Sequence, residues 1–124
     1  MELINQNILI EKKSKFYSFA YKICEVKDVE EILLLLNKEH KKATHICYAY
    51  KISNGQEIVK FNDDGEPSGT AGKPILNVIE KKNLTNVAVF VVRYFGGIKL
   101  GAGGLVRAYT KSASQVLGGE NASN

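Results

Sequence analysis

Val87-Ala88-Val89-Phe90-Val91-Val92 runs directly into Arg93-Tyr94-Phe95-Gly96-Gly97-Ile98-Lys99-Leu100-Gly101-Ala102-Gly103-Gly104-Leu105-Val106-Arg107. The first six residues are an uninterrupted apolar run, the pattern of a central strand covered on at least one face. Beyond the glycines, Leu105, Tyr109, Ser112, Ala113 and Val116 recur at helical spacing until Gly118-Gly119. A buried strand, a glycine-rich loop and an amphipathic helix therefore follow one another without a break.

Outward from this stretch the other elements fall into place. Phe16 to Cys24 alternates Tyr17, Phe19, Tyr21 and Ile23 against Ser18, Ala20 and Lys22, the period of a half-buried strand. Asp28 stands three residues before Glu31 in capping-box spacing, and Val29, Ile32, Leu33 and Leu36 predict a helix that ends in the polar run Lys38 to Lys42. Thr44 to Ile52 and Glu57 to Phe61 flank Ser53-Asn54-Gly55, which predicts a hairpin. After the loop Asn62 to Gly72, Pro74 suits a first helical position, with Ile75, Leu76, Val78 and Ile79 as the buried face of a short helix ending near Asn83. One uninterrupted strand and one hairpin favour an α+β fold: a two-layer mixed sheet with helices on one face. A single domain over residues 1–117 and a frayed tail over 118–124 are expected.

Composition narrows the function classes. Apolar residues at 44% and charged residues at 24% are ordinary globular values, which argues against a disordered chain and a coiled coil. No apolar stretch approaches the roughly 20 residues that span a bilayer, and Met1 to Gln6 is no signal peptide. A cytoplasmic location and no membrane partner follow, so the sequon Asn121-Ala122-Ser123 would never meet its enzyme. Cys24 and Cys47 read as buried free thiols; with His40 and His45 they are not spaced as a zinc set, and no metal site or cofactor is expected. The net charge of +4 is unevenly spread. Glu57, Asp63, Asp64 and Glu66 face only Lys60 in one tract, whereas Arg93, Lys99, Arg107 and Lys111 have no acid among them in the other.

Two segments carry candidate chemistry. In the first, Arg93, Tyr94, Gly96, Gly97, Lys99, Gly101, Gly103, Gly104 and Arg107 set glycines between a strand and a helix N-terminus, an arrangement that gathers backbone donors and positive charge for an anion or nucleic acid. The same glycines also serve a tight turn and close helix packing. The tract lacks the Gly-Lys-Ser/Thr of a Walker loop, and Val106 stands where a dinucleotide fingerprint has its third glycine. The second segment is the acidic loop with Asp63, Asp64, Glu66, Ser68, Thr70 and Lys73. Its three acids are the right type for a hard cation, yet Ala71 occupies the bidentate position of an EF-hand, and an acid-rich surface turn is the plainer reading. No catalytic residue stands out. Ser68 is not in a nucleophile elbow, His40 is expected to be solvated, and His45 and Cys47 are same-face strand neighbours.

Asp63 to Pro74 together with Val92 to Tyr109 resemble the IMPACT/YigZ family, and Lys13-Ser14-Lys15-Phe16 and His45-Ile46-Cys47-Tyr48-Ala49 support the likeness from about Lys13 to Leu117. The resemblance implies an α+β fold like domain 2 of the small-subunit ribosomal protein S5 and domain IV of elongation factor G, a topology shared with GHMP-type small-molecule kinases. Eukaryotic members are regarded as translational regulators. Bacterial members typically carry a second, ferredoxin-like domain, expected to be absent from this chain.

Three functions follow as expectations. The first is a noncatalytic domain in translation or its regulation, binding RNA or a ribosome-associated protein through the basic glycine segment. The second is an enzyme on a phosphorylated small molecule, with metal in the acidic loop and phosphate at the glycines. The third is a protein-interaction module with purely structural glycines. None of the three assigns an oligomeric state.

Overall fold

The computed structural model describes residues 1–118. Eight elements follow one another: β1 (Glu2–Glu11), β2 (Ser14–Lys22), α1 (Val26–Glu39), β3 (His45–Ser53), β4 (Glu57–Asn62), α2 (Gly72–Lys81), β5 (Val87–Tyr94) and α3 (Gly101–Val116). The strands form one sheet in the order β1-β2-β5-β3-β4. The apolar run of β5 takes the central place, paired with β2 from Lys15↔Tyr94 to Lys22↔Val87 and with β3 from His45↔Arg93 to Lys51↔Val87.

The α+β class holds, with two finer differences from the expected layering. Every strand pair is antiparallel, so the sheet is not mixed. The helices cover both faces. Val29, Ile32 and Leu36 of α1 pack on Ala88, Phe90 and Val92, while α2 and α3 pack on Val87, Val89 and Val91 of the same strand. The reason lies in the crossover: β2 and β3 point the same way with a gap between them, α1 bridges the gap on one face, and β5 fills it from the other direction. An apolar run buried on both sides is compatible with either layering, so periodicity could not decide.

Strand β1 was not expected. Its centre, Asn5-Gln6-Asn7, is polar and only Leu9 is buried, which hides the strand period. Those asparagines tie β1 to α3: Asn5 Nδ2 donates to Val116 O (3.1 Å) and Asn7 Nδ2 to Gln115 Oε1 (2.8 Å). Helix α1 begins at Val26, not after Asp28. Asp28 sits in the first turn, where its carboxylate accepts from the N–H groups of Cys24 (2.8 Å) and Glu25 (3.3 Å) and its pKa is lowered by them. Cys24 is exposed, not buried. Residues 119–124, and with them most of the expected tail and the sequon, lie outside the described residues. No helix among the described residues is long and apolar enough to cross a membrane.

Candidate functional site

The loop after β4 begins with a tight reversal. Asp64 and Gly65 both lie at positive φ (41° and 87°), and Glu66 N–H donates to Asp63 O (2.9 Å). Each acid of the loop then has a separate task. Asp63 receives the N–H groups of Gly69 (2.9 Å), Ala71 (3.1 Å) and Gly72 (2.8 Å), capping α2 from a distance in sequence. Helix α2 therefore starts at Gly72, two residues before Pro74. Asp64 accepts from Ile46 N–H (2.7 Å) at the start of β3. Among the described residues, no group of three His, Cys, Asp or Glu side chains is disposed to hold a metal ion.

Glu66 turns inward and meets Arg93. The Arg93 guanidinium donates through Nη1 to both carboxylate oxygens (3.0 and 2.8 Å) and through Nη2 to Ser14 Oγ (3.2 Å), and its Nε has no hydrogen-bond partner. Tyr109 of α3 donates to Glu66 Oε2 (2.5 Å), and His45 Nε2 lies 3.5 Å from Oε1. Arg93 is 5% exposed and Glu66 7%, so this is a buried ion pair with most of its polar atoms satisfied. The guanidinium is packed between Phe16 and Phe95, 5.4 and 5.5 Å from their centroids. Burial pushes the Cys47 thiol well above its ordinary pKa, and Glu66, Asp64 and Asp63 push it further; burial raises Tyr109 likewise. Burial thus favours the protonated form of both groups.

Over this pair opens a cavity of about 400 Å³, lined by Thr44, His45, Glu66, Pro67, Arg93, Phe95 and the residues from Lys99 to Ala102, with Leu105 at its back. The two glycine-rich segments thus meet at one end of the sheet, where β5 ends and β3 begins. Not every expected site residue joins them. Arg93 is committed to Glu66 and is no free cation. Tyr94 points to the α1 face, where its hydroxyl bonds His40 Nδ1 (2.6 Å) and its ring packs edge-on to Tyr17, so His40 is held among aromatics instead of solvated. Lys73 is exposed at the start of α2, its ammonium 5.8 Å from the Phe61 ring. Thr70 Oγ1 donates to Pro67 O (2.6 Å), and Ser68 is exposed.

The glycines divide by role. A side chain on Gly96 would collide with the backbone of Lys13, while Gly96 N–H donates to Ser14 Oγ (3.2 Å). Gly97 has φ +93° and Gly101 φ +76°, both with open space around them. Gly101, Gly103 and Gly104 belong to the first turn of α3, which starts earlier than the apolar spacing indicates and carries neither a side-chain cap nor an acid. Arg107 folds back so that Nη1 lies 3.4 Å from where a Gly103 Cβ would stand. It shares a groove of about 220 Å³ with Lys12, Lys111, Glu11 and Gly104. Lys12 lies in the β1–β2 turn and Ser14 opens β2, and no local pattern reveals their place beside the site. Lys13-Ser14-Lys15-Phe16, noted only for its resemblance, was the available signal.

Comparison with known proteins identifies the family and the fold. The pattern of the Impact N-terminal domain matches residues 12–117. The IMPACT family member YvyE of Bacillus subtilis is 48% identical over 109 residues, covering 88% of this chain and 50% of that protein. A crystal structure of a hypothetical protein superposes with a TM-score of 0.86 at 36% identity, over 94% of this chain and 61% of the other. The two-domain translational regulator Yih1 shares the fold at a TM-score of 0.58 and 23% identity, over 91% of this chain and 46% of the other. The chain spans about half the length of the curated bacterial relatives it matches.

Proposed function

This chain belongs to the IMPACT family, and on that premise we propose that it is a noncatalytic domain linked to translation or its regulation, binding RNA in the cytoplasm. In this reading residues 1–117 act as one domain. The observation that carries it is the basic surface formed where the β1–β2 turn meets α3: Lys12, Arg107 and Lys111 share one groove, and Lys99 stands at the neighbouring cavity beside the uncapped N-terminus of α3. Backbone donors and a partial positive charge at that terminus favour phosphate. The name of the solved relative Yih1, a translational regulator, supports the same setting.

The enzyme reading loses its main support. A metal in the acidic loop needs free carboxylates, and each is engaged: Asp63 by Gly69 and Gly72, Asp64 by Ile46 of β3, and Glu66 by Arg93 of β5. Binding needs only shape and charge, and the groove at Arg107 and the cavity at Lys99 support this reading.

Titration of a labelled single-stranded RNA at several salt concentrations tests the proposal. With about three phosphates contacted, log affinity should fall with log salt at a slope near −2, from roughly −0.7 per contact. Arg107→Ala should weaken binding and flatten the slope by about one contact, at an unchanged melting temperature because Arg107 is exposed. Ser53→Ala, at the far end of β3, should change neither. Absence of wild-type binding at low salt would remove the proposal, and a lowered melting temperature in Arg107→Ala without loss of binding would assign that residue to structure.

A further inference from the structure

We propose that the cavity above the Glu66–Arg93 pair takes one unstacked base of the bound RNA strand, with the attached phosphate at Lys99 and the first turn of α3. The inference rests on the RNA reading and names the site at which sequence-tolerant stacking would add to the electrostatic contact.

Three observations lead there. First, Phe95 is 46% exposed although it lines a cavity, and its inner side is held by the Arg93 guanidinium at 5.5 Å. An exposed aromatic fixed from behind by a buried ion pair is a rigid platform for a flat ring. Second, the remaining walls are apolar, from Pro67, Leu100, Ala102 and Leu105, while Thr44 and His45 bring polar groups to one side. Thr44 Oγ1 accepts Phe95 N–H (2.9 Å) and can turn its proton toward the cavity. His45 Nδ1 is held by Asp64 O (2.8 Å), which presents the other ring nitrogen toward Glu66 at the cavity floor. A base, apolar on its faces and polar at its edge, matches this division. Third, the positive charge not already paired lies at one end, at Lys99 and the first turn of α3, since Arg93 below is neutralised by Glu66. A volume of about 400 Å³ accommodates one nucleotide but not a stacked pair.

The test uses a short single-stranded RNA carrying the fluorescent base 2-aminopurine, with adenosine monophosphate as a second ligand. Wild-type protein should quench the fluorescence as the ring stacks on Phe95. Phe95→Leu should lose the quench and about tenfold in affinity while keeping the salt slope, and Phe95→Trp should retain both. Ala102→Glu places a carboxylate at the mouth of the cavity. An acid in the first turn favours α3, so this variant should melt no lower than wild type and yet bind RNA poorly. Binding with unaltered fluorescence and equal affinity in all four proteins would overturn the cavity proposal and leave the electrostatic reading standing. Binding of the monophosphate without binding of the strand would overturn RNA as the source of the base and the RNA reading with it.

Discussion

Glu66 shows how little of a side chain's role is visible in its neighbours along the chain. Among Asp63, Asp64 and Glu66 it alone enters the interior, where Arg93, Tyr109 and His45 surround its carboxylate. A buried guanidinium without its counter-ion is strongly unfavourable, so Glu66→Ala should cost about 3–5 kcal/mol of stability. Replacing both partners with methionine should cost far less than the sum of the single changes, because no charge is then stranded. Urea unfolding of the two single variants and the double variant measures this. Additive losses would mean that Glu66 and Arg93 act independently.

Helix α2 illustrates an element whose start is chosen from outside. Proline at the first position was a sound local expectation, yet the helix begins two residues earlier because Asp63, across the loop, supplies the acceptor for Ala71 and Gly72. Gly72 also lies where a Cβ would stand 2.7 Å from the Asn62 backbone, so the loop closes tightly on itself. Asp63→Ala should lower stability by about 1–2 kcal/mol, the range for losing a helix cap, and Asp63→Asn should recover much of it. Amide hydrogen exchange localises the effect: faster exchange confined to the first turn of α2 and to Gly69 is expected. Uniform acceleration across the sheet would instead show that Asp63 supports the whole fold.

For the whole molecule the decisive feature is that β5 is buried on both faces. Phe90 belongs to the cluster under α1 and Val91 to the cluster under α2 and α3. Phe90→Ala should therefore cost about 3–5 kcal/mol, as for other fully buried aromatics. With helices on one face only, Phe90 would face solvent and the change would be nearly neutral. Guanidinium unfolding monitored by circular dichroism distinguishes the two. The same central strand delivers Arg93 to the cavity at its end, so core and site share one element.

The strands β2, β3, β4 and β5, the three helices and the family likeness were legible in the sequence because apolar period and glycine placement are local signals. The two glycine-rich segments meet through Glu66 and Arg93, a contact set by how distant strands pair. Strand β1, the second helical face, the burial of Arg93 and the contribution of Lys12 and Ser14 were decided only in three dimensions. These depend on pairings between distant segments. Whether an arginine meets solvent or a carboxylate is set by what the rest of the chain places beside it, not by its own spacing.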